Sequence, residues 1–332
     1  MNFSTPSPAL ERYHFQEWIW FANISVNTTL MLIAVYTTVS LIYHEMRVAK
    51  KRNTFLKPLI EAKILFKNKL ICIAIGFCCF FHHSVVVGNL WISKKHMPLN
   101  ITFEQQQTLS EVCQFVSKSG NFFLGLNLVF VYLFLWFRQR IFYVHEAFQK
   151  LNNKITKTIS NFFPFALCFG FVTLIVSYFA VVHYKFHADI GCLFNQDVYF
   201  QYGSMMVALG ISCVFAQVTL VLLFIYPIIK LRSDNDSCNS KWLIKRYKKA
   251  LFLTIVCIVS DATSAIVLGK MYVRNTNSSL IFYNLNSSVN HFVTIACFDE
   301  WKELLCPWCI KKKYITDAKL EKNNKNVLLN QM

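Results

Sequence analysis

Residues Cys113 to Tyr143 read CQFVSKSGNFFLGLNLVFVYLFLWFRQRIFY, and this stretch decides the fold. It opens with a cysteine and closes with a basic pair, Arg138 and Arg140. Its apolar part, Phe122 to Phe137, together with the less apolar turn before it, is long enough as a helix to cross a bilayer core of roughly 30 Å at about 1.5 Å per residue. The stretch is therefore predicted to be one membrane-spanning helix with an anchor at each face.

Six further apolar segments accompany it in a chain of 332 residues, of which 55% are hydrophobic and only 15% are charged. A soluble globule of this size could not solvate that balance. Backbone amides inside a bilayer must find partners within their own segment, so each segment is predicted to be a helix. The seven segments are Trp18–Tyr43, Leu70–Trp91, Ser119–Phe137, Phe162–Val182, Met205–Ile229, Ala250–Leu268 and Ile281–Phe298. The predicted fold is an all-α membrane protein with a seven-transmembrane helix bundle over residues 18–298.

The net charge of +17 is distributed unevenly over this bundle. If the N-terminus is outside, most of the 34 Lys and Arg residues fall in the inner loops and the tail. Because multi-pass proteins keep basic loops on the cytoplasmic side, residues 1–17 are predicted to be extracellular and residues 299–332 cytoplasmic. This distribution indicates a topology signal and a contact for anionic membrane lipid, and it disfavours a nucleic-acid partner.

Sequons for N-glycosylation begin at Asn2, Asn100 and Asn277, all on the predicted outer side. Another, at Asn235, falls on the inner side, so the sequons add little to the charge argument. Residues 1–17 contain no short apolar region with a small-residue cleavage site, so the first span is predicted to act as the insertion signal. We expect a multi-pass glycoprotein of the plasma membrane.

Asp261 is the only acid within the apolar spans. An ionised carboxylate there costs on the order of 3 kcal/mol or more unless it is paired, which makes this residue a functional candidate. Lys118 would either form a structural salt bridge with it or, like it, contact a ligand. Asn121 and Asn284 are the other candidates for ligand contact. The polar residues of the last span are predicted to face the interior; they are Asn284, Asn286, Asn290 and His291.

Two further features bear on helix geometry. His82 and His83 are predicted to make polar contacts inside the bundle rather than a metal site, because adjacent side chains on a helix point about 100° apart. Pro164 lies near the predicted start of the fourth span, and the first turn of a helix tolerates a proline because its N–H has no helical partner.

The spacing of Cys113 and Arg138 resembles that in the third helix of rhodopsin-like (class A) G-protein-coupled receptors. In that family the arginine belongs to an Asp-Arg-Tyr triplet that faces the G protein, and here the triplet reads Phe137-Arg138-Gln139. Residues 290–294, NHFVT, are similar to a degraded Asn-Pro-x-x-Tyr motif of the seventh helix. The chain is therefore identified as a divergent, orphan member of this family.

Two more landmarks follow from the resemblance. Trp301–Lys302 resembles the start of the family's short amphipathic helix on the cytoplasmic side, and Cys306 and Cys309 then correspond to its palmitoylated end. The family's extracellular disulfide would join Cys113 to Cys192 in the second outer loop, with two unpaired thiols as the alternative.

The resemblance implies a receptor that binds an extracellular ligand in the outer half of the bundle and activates a heterotrimeric G protein. Arg138 and Arg140 would face that partner. Amine ligands and retinal are disfavoured, because Gly120 and Asn284 stand where amine receptors have an acid and opsins a lysine. A peptide, a lipid or an odorant stays open as the ligand.

Two other classes of membrane protein compete with this interpretation. A ligand-gated channel of the insect chemoreceptor type also has seven helices, but its N-terminus is cytosolic, which the charge distribution opposes. A small transporter usually shows paired repeats or broken helices, which the sequence lacks. Metal-ligand spacings, Gly-rich phosphate loops and nucleophile elbows are also missing from the sequence, so we expect no enzymatic activity, no cofactor and no metal.

Overall fold

The structure is a computed structural model that describes residues 8–52, 59–95, 102–144, 154–187, 191–194, 199–233, 240–271, 276–298 and 301–305. These residues form seven long helices, one short helix and one β-hairpin. The helices are α1 (Pro8–Arg52), α2 (Leu59–Lys95), α3 (Phe103–Val144), α4 (Lys154–Val181), α5 (Tyr199–Ser233), α6 (Ser240–Met271), α7 (Thr276–Ala296) and α8 (Trp301–Leu305). The hairpin lies between α4 and α5, and its antiparallel strands are β1 (Tyr184–His187) and β2 (Gly191–Phe194).

The third helix lies at the centre of the bundle. Each long helix contacts the next one along the chain, and α7 closes the ring by contacting α1. In addition, α3 contacts α5, α6, α7 and both strands of the hairpin. We call the end of the bundle that carries Cys113 and the hairpin the outer end, and the end that carries Arg138 the inner end.

Four of the helices contain segments that are long and apolar enough to cross a membrane. These segments are Glu17–Arg47 in α1, Lys67–Ile92 in α2, Glu104–Arg140 in α3 and Lys154–Val181 in α4. Helix α5 contains a shorter apolar segment, Ile211–Tyr226. The described helices are thus consistent with a membrane protein.

The outer surface of the bundle is apolar, unlike that of a soluble protein. Helix α4 exposes a row of large apolar side chains: Phe162, Phe165, Phe169, Val172, Val176 and Phe179. Polar side chains are buried between the helices, among them Asn27, His83, Asn127, Asn284, Ser287, Asn290 and Thr294. Polar groups in a bilayer pair with one another inside a bundle, so this arrangement suits a hydrocarbon environment.

The helices extend beyond the predicted spans. Helix α1 continues to Arg52 and α2 begins at Leu59, so most of the predicted first inner loop is helical. Charged residues end an apolar segment without ending a helix, because Lys, Arg and Glu are good helix formers. Hydropathy therefore locates the apolar part of each helix rather than its ends.

The prediction that Pro164 lies in the first turn of the fourth helix is wrong. Helix α4 begins at Lys154, and Pro164 lies inside it. Because proline has no N–H, the carbonyl of Ser160, four residues earlier, loses its helical donor. The indole nitrogen of Trp136 in α3 donates to that carbonyl instead, at 2.6 Å. The proline thus frees the acceptor that joins α3 to α4.

Gly76 sets the approach of three helices near the middle of the bundle. A Cβ atom at this position of α2 would overlap with the hydroxyl of Thr38 in α1 and would lie 3.1 Å from the His291 ring in α7. Only glycine therefore lets these helices pack this closely.

Candidate functional site

Asp261 lies in α6 and faces three other helices. Its Oδ2 accepts hydrogen bonds from the Tyr132 hydroxyl of α3 at 2.9 Å and from Gln217 Nε2 of α5 at 2.8 Å. Its Oδ1 accepts from the Nδ2 atoms of Asn286 and Asn290 of α7, both at 2.8 Å. An ionised carboxylate only accepts, so four donors suit it. We call these five residues the Asp261 hub.

Neutral groups replace the counter-ion in this hub. The predicted Lys118–Asp261 pair is not formed, because Lys118 Nζ donates to the carbonyl of Phe179 in α4 at 2.8 Å. The ammonium also lies 5.6 Å from the centroid of the Phe179 ring. Carbonyls in the last turn of a helix lack helical donors and carry partial negative charge. Lys118 therefore caps the end of α4.

Asn121 lies in a polar cluster with two tyrosines. Its Nδ2 is 2.6 Å from the hydroxyl of Tyr178 in α4 and 3.1 Å from that of Tyr184 in β1. The two hydroxyls are 2.7 Å apart. Burial, and then the neighbouring Tyr178, raise the pKa of the Tyr184 hydroxyl well above its usual value. This cluster ties α3 to α4 and to the hairpin.

The hairpin is held against α3 by a disulfide and two hydrogen bonds. The structure joins Cys113 to Cys192, with 5.5 Å between their Cα atoms. The amide of Phe186 donates to Ser110 Oγ at 3.1 Å, and Gln106 Nε2 donates to the Phe186 carbonyl at 3.4 Å. The hairpin is thereby fixed over the outer part of α3.

Asn284 belongs to a second polar network, between α2, α3 and α7. His82 of α2 places its Nε2 2.8 Å from Asn284 Oδ1 and its Nδ1 2.9 Å from the carbonyl of Gly120 in α3. The adjacent His83 bonds to α1 and α7 instead, at Asn27 and Ser288. The two rings thus make separate polar contacts inside the bundle, as their positions on the helix predict.

Two cations meet the end of α7 at the inner end. Arg138 is only 9% exposed, and its Nη2 donates to the carbonyl of Cys297 at 2.7 Å. Lys249 of α6 donates to the next carbonyl, that of Phe298, at 3.3 Å. Phe137 has no acceptor to offer Arg138, and the backbone after α7 supplies one. We call these two contacts the α7 latch, since they join α3 and α6 to the same helix end.

Arg140 behaves differently from Arg138. It is exposed, and its guanidinium lies 5.2 Å from the centroid of the Trp136 ring, within the range of a cation–π contact. An ion pair between Glu45 of α1 and Lys69 of α2 also lies near the inner end. Of the two predicted partner-facing arginines, Arg140 is therefore the one on the surface.

Most of the predicted glycosylation and lipidation sites lie outside the described residues. Asn2, Asn100, Cys306 and Cys309 lie outside the described residues, and Asn277 falls in the first turn of α7. Among the described residues, no group of three or more His, Cys, Asp or Glu side chains is arranged to hold a metal ion.

Sequence reasoning missed two members of the Asp261 hub. Gln217 could have been found by the rule that singled out Asp261, because it is a long polar side chain in an otherwise apolar stretch of α5. Tyr132 gave no such signal, since tyrosine is common in apolar helices. No protein-family model and no curated protein matches this chain.

Proposed function

We propose that this protein is a seven-helix receptor of the plasma membrane that binds an extracellular ligand and activates a heterotrimeric G protein. The observation that carries the proposal is the α7 latch, in which Arg138 of α3 and Lys249 of α6 donate to consecutive carbonyls after α7. The latch holds three helices together at the end where a cytosolic partner would bind.

A receptor needs two helix arrangements that differ little in free energy, so that a ligand with a preference for one of them shifts the population. A cation at the C-terminal end of a helix contributes about 0.3–1 kcal/mol, and up to about 2 kcal/mol when it is partly buried. Two such contacts are strong enough to favour one arrangement, and they are weak enough for ligand binding to release.

Helix α7 is the element that connects the outer half to this latch. It bonds His82 through Asn284, Asp261 through Asn286 and Asn290, and then reaches the latch. A ligand that displaces the outer part of α7 would disturb the hub and the latch in turn. We therefore assign Asp261, whose acceptor sites are filled, to transmission of the signal rather than to direct contact with the ligand.

Lys249→Ala tests the proposal in cells that report ligand-independent G-protein activation at matched surface expression. Loss of a contact worth about 1.4 kcal/mol would change the ratio of the two arrangements about tenfold, so basal activation should rise by up to that factor. Lys248→Ala is the matched control, because the neighbouring Lys248 is exposed and should leave basal activation unchanged.

Arg138→Ala tests the other contact of the α7 latch. It removes the α3 contact of the latch and, with it, the basic residue proposed to meet the partner, so basal activation should change in this variant as well. If the wild type, Lys249→Ala and Arg138→Ala activate none of the heterotrimeric G proteins tested, G-protein coupling through this end of the bundle is excluded.

A further inference from the structure

His82 is a buried imidazole whose two ring nitrogens both face oxygen atoms. The side chain is only 4% exposed. The carbonyl of Gly120, 2.9 Å from Nδ1, can only accept, so Nδ1 must carry a hydrogen. Nε2 lies 2.8 Å from Asn284 Oδ1, which also accepts. A neutral imidazole has one N–H and can serve one of these oxygens, whereas a protonated ring serves both.

The amide of Asn284 is free to turn. Its Nδ2 is buried, and no other group in the described part of the chain accepts a hydrogen bond from it. The nitrogen can therefore turn towards a neutral His82 and donate to Nε2, or the oxygen can accept from a protonated His82. Each protonation state of the ring has its own orientation of this amide.

His83 offers a matched comparison on the same helix. Its Nδ1 lies 3.0 Å from Asn27 Oδ1, and Asn27 Nδ2 donates to the carbonyl of Asn23, which fixes the direction of that amide. Its Nε2 lies 3.1 Å from the hydroxyl of Ser288, which can donate. Neutral His83 is therefore fully bonded, and an added proton brings it no new hydrogen bond.

His291 is the third buried histidine of the network. Its Nε2 lies 2.8 Å from Thr37 Oγ1, and the Thr37 hydroxyl, which also reaches carbonyls of its own helix, can accept from Nε2 while it donates to one of them. Its Nδ1 has no hydrogen-bond partner among the described residues. A second proton on His291 would therefore find no acceptor there.

The groups that face His82 are neutral or basic. They are the His83 ring on α2, 5.3 Å away between centroids, the Gly120 carbonyl on α3 and the Asn284 amide on α7. Lys118 lies two residues before Gly120, and its ammonium is bonded to α4. Asp261 meets α7 at Asn286 and Asn290 rather than at Asn284. The two oxygens, rather than a carboxylate, thus favour a proton on His82.

We propose that His82 is a proton-binding site, and that a proton taken from solvent onto Nε2 turns the Asn284 amide and so changes the contact between α2, α3 and α7. His82 takes up a proton at a higher pH than His83 and His291, because it alone of the three places both ring nitrogens against peptide or amide oxygens, which accept the two N–H groups of the protonated ring. The inference goes beyond receptor function, since proton binding requires neither ligand nor G protein.

The test follows the ring nitrogens by NMR in the full chain, labelled with ¹⁵N at histidine and held in phosphatidylcholine nanodiscs, as the pH is lowered from about 7.5 to about 5. The expected result is that His82 is the first of the three buried rings to carry two N–H groups. Prior protonation of His83 or His291, or the absence of protonation at His82 over this range, overturns the proposal.

Two variants test whether the Asn284 amide sets the proton affinity of His82. Asn284→Ala removes the second acceptor and should lower the proton affinity of His82 about tenfold, because the hydrogen bond from the charged ring is stronger than the one that the turned amide donates to the neutral ring. Ser288→Ala, which removes a partner of His83 only, should leave His82 unchanged. An unchanged affinity in Asn284→Ala contradicts the role of the amide. The order of protonation in the wild type decides the proposal independently, should that variant fail to fold.

Discussion

Lys118, Arg138 and Lys249 each donate to a backbone carbonyl at or just beyond the end of another helix. Asp261, an acid that is partly buried between the helices, is likewise bonded to neutral donors. Withdrawing two charges from water costs several kcal/mol per ion, and a close ion pair regains that cost only with very good geometry. Helix ends offer carbonyls that lack helical donors, so the contacts of Lys118 and Arg138 each satisfy a cation and such an acceptor together. The Phe298 carbonyl, which Lys249 meets, also accepts from the amide of Trp301.

Asp261→Asn is the sharpest change at the residue scale. The amide keeps the shape of the carboxyl group but turns an N–H₂ towards groups that themselves donate. We expect the free energy of unfolding to fall by about 1–3 kcal/mol, as for a buried group that loses its partner. Tyr132→Phe, which removes one donor of four, should cost about 1 kcal/mol. Thermal unfolding of the purified protein in detergent measures both.

Lys118→Met tests whether Lys118 and Asp261 form a salt bridge. Because Lys118 caps α4 and does not touch the hub, the double variant Asp261→Asn/Lys118→Met should be no more stable than Asp261→Asn alone. Recovery of wild-type stability in the double variant would show that the two charges are paired, contrary to the contacts described above.

Side-chain chemistry could be predicted at this scale, whereas backbone acceptors could not. Asp261 stands out because it is the one acid in an apolar span. The carbonyls of Cys297 and Phe298 accept from Arg138 and Lys249, yet every residue has a carbonyl, so no letter of the sequence marks these two. Class A receptors, which this stretch resembles, have an acid before the arginine; Phe137 offers no acceptor in its place, and the sequence does not indicate which group accepts from Arg138.

At the scale of elements, the contact between α3 and α4 depends on a proline and a tryptophan together. Trp136→Phe removes the indole donor and leaves the Ser160 carbonyl buried without a partner, at a cost of about 1–3 kcal/mol. Pro164→Ala supplies a backbone N–H that can bond the same carbonyl within α4. We therefore expect Trp136→Phe to cost clearly less in a Pro164→Ala background.

A double-mutant cycle by thermal unfolding measures this coupling, which should exceed about 0.5 kcal/mol for groups that share one acceptor. Additive effects would mean that the carbonyl does not depend on both groups. The case also shows why the helix start was placed wrongly. Lys154 to Asn161 is polar enough to suggest a loop, yet these residues continue the helix past the proline.

At the scale of the whole molecule, seven long helices occur where seven spans are predicted, and among the described residues four of them contain segments that are long and apolar enough to cross a membrane. Hydropathy averages over all sides of a helix. Asn284, Asn286 and Asn290 lower the mean hydropathy of α7, although they are buried in the bundle and would not meet lipid. The number of helices could thus be predicted from the sequence, whereas for α7 hydropathy alone does not indicate a span, because its polar residues face the interior of the bundle.

The number and direction of the membrane crossings can be tested by finding on which side of the membrane each end of the chain lies. With seven crossings the two ends of the chain lie on opposite sides of the membrane, and the excess of basic residues in the inner segments predicts that the N-terminus is outside. An epitope tag before Met1 should therefore be stained by antibody in intact cells. A tag after Met332 should be stained only after the cells are permeabilised, and an untagged cytosolic protein checks that intact cells exclude the antibody.

Each other pattern of staining indicates a different topology in the membrane. If only α1 to α4 cross, the number of crossings is even and both tags are stained under the same condition. Staining of the C-terminal tag alone in intact cells would reverse the topology, as in a chemoreceptor-type channel, and would remove the α7 latch from the cytosol where a G protein could meet it. The latch has its proposed meaning only if the inner end faces the cytosol, so this measurement comes before any test of signalling.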